Sequence, residues 1–354
     1  MYDIKLITAD ELTADEIQLW RQIQAQSEGL ASGLFCPELV QSVSQFRTGI
    51  EIATIQCDGQ TVGFFPFHRA DAGHGSPFAG PLADFQGAII PKDLEFDPVE
   101  LLVACDLQSW SFDHLLAEQT TFVPYHVIND ESAFIDLSNG FDAYRSARKK
   151  AKSDELSEAL RKGRKIQRDV GPLRFEPCET DPKILDQLLD WKAQQLQHKG
   201  LPNALQTEWI SPLMQSLITQ STPDFAGMLS AVYIGDDLLA GTIGVRSQHI
   251  LHGWVTCFDP QYYKFSPGLI LLTQLAQAAE QLDIHRIDMG KGPESFKRSF
   301  RSGSIALAEG IVSRNAVSGA LQQNWIRAKE WAKTKSIGES ARKLVHSIKA
   351  ARGQ

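Results

Sequence analysis

Between Tyr262 and Arg301 the chain reads YYKFSPGLILLTQLAQAAEQLDIHRIDMGKGPESFKRSFR, and this run leaves few folds open. After Ser266-Pro267-Gly268, the apolar residues Leu269, Leu272, Leu275, Ala276, Ala279 and Leu282 recur at helical spacing. Pro267 suits the first turn of that helix, where its missing N–H would be unpaired anyway, and Ser266 stands in the capping position. The free N–H groups of such a helix start can hold an anion. Ile284 to Met289 reads as a short strand ending in Gly290-Lys291-Gly292-Pro293, after which Glu294 to Phe300 restarts a helix near Lys297, Arg298 and Arg301. Asp288 therefore falls where a strand ends beside two helix starts, a suitable place for a site.

The preceding hundred residues prepare for this stretch. Leu173 to Glu179 reads as a strand, Ile184 to His198 as a helix, Thr207 to Gln220 as another. Met228 to Ile234, Leu238 to Arg246 and Ile250 to Phe258 follow as an antiparallel meander, and Ile305 to Val312 closes the set. The first half starts in the same way. A strand over Tyr2 to Ile7 precedes helices over Ala14 to Gln26 and from Pro37 to about Phe46, then a hairpin of Ile50 to Cys57 and Thr61 to His68 turning at Asp58-Gly59. ATIQCDGQTVG (53–63) aligns without a gap on AVYIGDDLLAG (231–241), which together with the shared order of elements points to two copies of one unit. A glycine-rich loop is expected from Asp71 to Gly87, a helix over Val99 to Leu107, and short strands over Phe122 to Ile128 and Ala133 to Leu137. One long basic helix, from about Phe141 to Arg168, is expected to join the halves; it reads as a solvated linker or as an anion-binding face.

FSPGLILL, a helix and then IDMGKGPESFKRSF resemble the signature of the CelD-type (BcsL-like) acetyltransferases of the GNAT superfamily, described as linked to cellulose or exopolysaccharide biosynthesis. The same architecture is shared with the FemAB-type aminoacyltransferases, which use aminoacyl-tRNA. The resemblance implies an α/β (α+β) fold of tandem GNAT-like acyltransferase domains, each a mixed, mostly antiparallel sheet flanked by helices. The expected division is a degenerate domain over 1–140, a linking helix over 141–172, an acyltransferase domain over 173–314 and a basic helical tail over 315–354.

It also implies transfer of an acetyl or similar acyl group from acyl-CoA to a sugar or amino-sugar precursor, the acceptor being sugar-nucleotide, lipid-linked or polysaccharide. The strand through Val255 and Thr256 and the loop Lys264, Phe265, Ser266 and Gly268 are the counterparts of the donor-binding parts, although one glycine and a proline leave few N–H groups for two phosphates. Asp288 becomes a candidate general base or acceptor anchor, Lys297 a neutraliser of phosphate or oxyanion, and Tyr263 (with Tyr262) a candidate acid for the leaving thiolate. Asp84 and Phe85, in the Gly-Pro loop, together with Lys192, Gln195 and Trp254, are the candidate acceptor contacts. Each also has a plain structural reading: a turn-capping Asp, a solvated Lys, a packed Tyr or Trp.

Composition removes several other classes. A formal net charge of −8 argues against general nucleic-acid binding, leaving tRNA only under the FemAB-type alternative. A catalytically silent glycan-binding or scaffold protein is the third reading. The 5 cysteines are isolated, and no metal ligand set, serine elbow or phosphate loop of the Walker type is present. His249 and His252 lie an odd number of residues apart on one strand and so face opposite ways. The polar, acidic amino terminus is unlike a signal peptide, so a cytoplasmic location is expected, with peripheral membrane contact through the basic tail as one reading of Trp325 and Trp331 among Lys and Arg.

Overall fold

The computed structural model describes residues 2–70 and 73–334. In its first half stand β1 (Asp3–Ile7), α1 (Ala14–Gln24), α2 (Pro37–Phe46), β2 (Ile50–Cys57), β3 (Gln60–Arg69), β4 (His74–Pro77), α3 (Pro98–Ala104), β5 (Ser109–Leu116) and β6 (His126–Asp136). α4 (Gly140–Lys150) and α5 (Glu155–Asp169) lead into β7 (Leu173–Glu176), α6 (Pro182–His198), α7 (Ile210–Leu217), β8 (Ala226–Ile234), β9 (Asp237–Ser247) and β10 (Ile250–Phe258). α8 (Pro267–Ala278), β11 (Arg286–Lys291), α9 (Ser295–Phe300), β12 (Gly303–Ser313) and α10 (Ala316–Thr334) complete it.

Local chemistry sets these boundaries. Thr13 and Glu16 form a capping box at α1, and Asp97 and Asp181 accept from Val99 N and Lys183 N at the starts of α3 and α6, each followed by Pro at the first helical position.

All strands among the described residues join one 12-stranded sheet in the order β1-β2-β3-β4-β5-β12-β6-β11-β10-β9-β8-β7. Read from either end the pattern is the same: five strands of one half, the last strand of the other half, then the half's own last strand. β12 pairs with β5 and β6, and β6 pairs with β12 and β11, all antiparallel. Neither half of the sheet is thus built from its own half of the chain alone. The aligned hairpins β2-β3 and β8-β9 occupy matching positions.

Three cores hold helices on the sheet. One joins the halves, packing Trp20, Leu39 and Val40 with Leu185, Leu188, Leu213 and Val255. A second sets Leu156, Ala159 and Ile166 of α5 and Leu271 and Leu275 of α8 against β8 to β11, and a third sets α3 on β2, β3 and β5.

Several sequence expectations are corrected. The long helix expected over Phe141 to Arg168 is two helices, α4 and α5. Lys152 takes a left-handed conformation (φ 55°) and Ser153 donates to the carbonyl of Ser299, so the chain turns and the apolar face of α5 reaches the second core. The glycine-rich loop contains β4, whose edge pairs with β3 and β5. The segments over Phe122 to Ile128 and Ala133 to Leu137 are a short 3-10 turn followed by a single long strand, β6. β5 was not anticipated at all. Most of the expected basic tail, residues 335–354, lies outside the described residues.

Candidate active site

β10 and β11 run parallel but pair only over Ile250–His252 and Arg286–Asp288. Beyond that point β11 no longer lines β10. On its other side β10 carries a bulge, since Gly253 faces Gly244 and Val255 faces Ile243, leaving Trp254 as the extra residue with its backbone outside the ladder. The neighbouring strand must come unusually close here: a Cβ on Gly244 would lie 2.0 Å from the His252 carbonyl oxygen. Divergence and bulge together open the sheet at one place.

A cavity of about 220 Å³ lies beside that opening, lined by Asp84, Lys192, Leu205, Trp254 and Val255 among others. The indole Nε1 of Trp254 is buried without a hydrogen-bond partner. A buried donor left unpaired costs about 1–3 kcal/mol.

Asp84 reaches the cavity from the first half of the chain, and its loop is firmly held. Phe85 is buried edge-on to the His252 ring, with centroids 5.1 Å apart. The Gln86 amide donates to the Ala83 carbonyl and to Asp113 Oδ1, while its oxygen accepts from the N–H groups of Asp113 and His114. Arg47 donates to the carbonyls of Pro77 and Phe78. Gly290, at φ 72°, lies alongside; a Cβ there would lie 3.5 Å from Asp84 Oδ2.

Behind Asp84 runs a buried chain of alternating charge. His252 Nε2 lies 3.2 Å from Asp84 Oδ2, and His252 Nδ1 lies 3.7 Å from Asp288 Oδ2, an ion-pair rather than hydrogen-bond distance. Arg286 Nη2 donates to Asp288 Oδ2 at 3.2 Å, and its Nε is 3.0 Å from Oδ1, near enough to pair but not aligned to donate. The same guanidinium donates to the carbonyl and carboxylate of Glu28 and lies over the Phe134 ring. Burial by itself pushes the His252 imidazole down, but the carboxylates of Asp288 and Asp84 outweigh it and lift it to about 9. At neutral pH His252 is an imidazolium between two carboxylates.

The structure gathers four of the expected site residues at the cavity: Asp84, Lys192, Trp254 and Val255. Phe85 stands behind them. Gln195 is half-buried on α6, one turn beyond Lys192, outside the cavity lining. Asp288 is almost fully buried and faces His252 and Arg286 rather than the cavity. Lys297 donates to the Lys291 carbonyl and pairs with Glu294, holding the turn between β11 and α9. Tyr263 is 74% exposed against Phe258, away from the cavity. Sequence reasoning missed His252 and Arg286. Their signal, a His and an Arg on inward positions of adjacent strands, becomes chemical only when the fold supplies Asp84, which is 168 positions from His252.

The residues expected to hold the donor lie along β10 and at the start of α8. A Cβ on Gly268 would lie 3.7 Å from Phe258 and 3.8 Å from Thr256, so the helix start rests against the strand. Ser266 does not cap this helix as expected. It sits in the left-handed region (φ 54°), which turns its hydroxyl away to accept from Lys162 Nζ of α5 at 2.8 Å. Pro267 has no N–H and those of Leu269 and Ile270 already bond to the Ser266 carbonyl, so the helix start offers few free donors. Lys162 and the exposed Lys264 bring cations to it instead.

Among the described residues one exposed group has metal-ligating atoms within 4.8 Å of one another: His249, Asp283 and His285. It lies at the opposite ends of β10 and β11 from the cavity, with the two imidazoles stacked at 4.3 Å.

Residues 153–298 match the protein family described as acetyltransferase (GNAT) domain. No curated protein sequence matches the chain. Among solved structures, FemX aligns with 90% of this chain and 99% of its own at 10% identity and a TM-score of 0.56. A tandem GNAT protein from the clavulanic acid biosynthesis pathway aligns with 89% of this chain and 99% of its own at 8% identity and a TM-score of 0.50. At such identities these likenesses show the fold. Residues 153–298 thus match a GNAT acetyltransferase domain, and the chain has a fold shared with tandem GNAT proteins.

Proposed function

We propose that this protein transfers an acetyl or similar acyl group from acyl-CoA to an amine or hydroxyl of a sugar or amino-sugar precursor. The observation that carries the reading is the cavity that brings Asp84 of one half to Lys192, Trp254 and Val255 of the other, at the bulge in β10. Val255, Thr256, Ser266 and Gly268, with Lys162 and Lys264, would hold the donor; when bound, it supplies an activated thioester carbonyl.

The chain's own groups account for the rest. The backbone released at Trp254 provides a donor for the charge that develops on the carbonyl oxygen. Asp84 orients the acceptor, takes its proton as the acceptor bonds to the carbonyl carbon, and returns that proton to the sulfur released as the carbon–sulfur bond breaks, while the His252 imidazolium holds the carboxylate in place. The Trp254 ring gives the acceptor an apolar wall, and Lys192 suits an anionic group on it, such as the phosphate of an activated sugar. Calorimetric titration with acetyl-CoA tests the donor assignment, with Lys162→Ala and Lys264→Ala expected to weaken binding. Absence of binding to the unaltered protein would remove it.

The small number of free N–H groups at the start of α8 favours a second reading, aminoacyl transfer from tRNA to a cell-wall precursor. Binding of charged tRNA in place of acyl-CoA would select it.

A further inference from the structure

The last described helix is inside out. Along α10 the side toward the sheet is small or polar: Gly319 is buried, with room for no more than close contact to Ser313, and Gln322, Gln323 and Ile326 are half-buried. The side toward solvent carries Val317, Leu321 and Trp325, which are 71%, 66% and 72% exposed. These three follow one another at every fourth residue, so they form one stripe, with Ala328 and Ala332 continuing it. Arg327 and Lys329, both exposed, fall on either side of the stripe. Of the 10 large hydrophobic side chains exposed among the described residues, α10 has 4.

Charge singles out the same region. From Asn315 to the end of the sequence there are 8 Lys and Arg against Glu330 and Glu339, a net +6 within a chain whose total is −8. The body is therefore acidic and this segment basic. A surface that is apolar along one stripe, edged by long cationic side chains and carrying Trp, matches the boundary between acyl chains and anionic headgroups, where the stems of Lys and Arg lie along apolar surface and their charges reach phosphate. A second copy of the chain fits less well. The stripe offers on the order of 400 Å², about half of what each partner of a stable protein interface contributes.

We propose that α10 is a membrane-surface helix that docks this enzyme on an anionic lipid bilayer by Val317, Leu321 and Trp325, with the flanking Arg327 and Lys329 on the headgroups. No helix among the described residues is long and apolar enough to cross a membrane, so the contact is at the surface. The proposal rests on α10 alone and stands or falls separately from the donor and acceptor chemistry.

The test is co-sedimentation of the full chain with phosphatidylcholine vesicles with and without phosphatidylglycerol, for the unaltered protein and for Leu321→Glu/Trp325→Glu. Both positions are exposed, so folding is not at risk, and circular dichroism verifies it. The expected result is binding to the phosphatidylglycerol vesicles, weakened by salt and reduced on the order of tenfold or more by the double substitution. A blue shift of fluorescence on vesicle addition that is lost in Trp325→Phe would place that indole in the interface. Failure of the unaltered protein to bind either vesicle, or equal binding by the double variant, would overturn the proposal. So would a dimer in analytical ultracentrifugation that the double substitution splits while vesicle binding is absent.

Discussion

Asp84 opens on the cavity with an imidazolium at its back, and that arrangement makes two outcomes specific. Asp84→Asn keeps the shape and removes the proton acceptor, so turnover is expected to fall about 10²–10⁴-fold with little change in donor binding, measured by steady-state kinetics and calorimetry. His252 gives a stability signature of definite sign. Its pKa rises from the ordinary 6.5 to about 9 on folding, so the stabilisation is fully present below 6.5 and is lost as pH rises through 9. A shift of this size corresponds to about 3 kcal/mol, and denaturant titrations between those pH values should show a decline that His252→Gln flattens. His252→Gln should itself be less stable at neutral pH, by about 3 kcal/mol, because it removes the charge between the buried Asp288 and the half-buried Asp84. Asp84 and Lys192 were expected at a cleft because the Gly-Pro loop and the Trp-Lys helix resemble a known pattern, and Trp254 as a strand tryptophan on which a sugar could stack; the structure brings all three to one cavity. His252 and Arg286 were not expected, because nothing near them in sequence is their partner. Asp288 was not legible as buried: a carboxylate near a glycine reads as a turn until an arginine two residues earlier is seen to hold it.

At the scale of elements, the site depends on how β9 and β10 approach each other. A methyl group on Gly244 would have to displace the His252 carbonyl, which is backbone and cannot rotate away. Gly244→Ala is expected to cost about 1–3 kcal/mol and to disturb the His252–Asp84 pairing, seen as a lower melting temperature with reduced turnover at permissive temperature. Such close passages are invisible to periodicity, which records which face a residue takes but not how near the next strand lies. The same limit explains β4, whose His-Gly-Ser-Pro has no strand propensity and is a strand only because β3 and β5 flank it. β5 is different. Ser109-Trp-Ser-Phe-Asp alternates clearly, Trp110 and Phe112 are buried, and the signal was present to be read. The break between α4 and α5 was hidden by an unbroken run of helix-forming, charged residues; only the turn at Lys152 and the pull of the second core on Leu156 reveal it.

In the whole molecule, the exchanged strands make the halves interdependent. Residues 140–354 expressed alone lack β5 and β6, so β11 would lose one partner and β12 both, in the middle of the sheet. That fragment is expected to lack a cooperative unfolding transition, and co-expression with residues 1–139 should restore it; a well-folded fragment would mean that β5 and β6 are dispensable. The repeat detected in the aligned hairpins foretold two similar halves but not their exchange, since pairing between distant strands leaves no local trace. What the exchange achieves is clear from the site: it locks the loop bearing Asp84 against the strands bearing His252, Trp254 and Asp288. The most direct measurement of this account is thiol release from acetyl-CoA in the presence of amino-sugar and activated-sugar acceptors, comparing the unaltered protein with Asp84→Asn. Acceptor-dependent release that collapses in the variant is the predicted result. Release indifferent to Asp84, or none with any acyl-CoA and any acceptor, would contradict it.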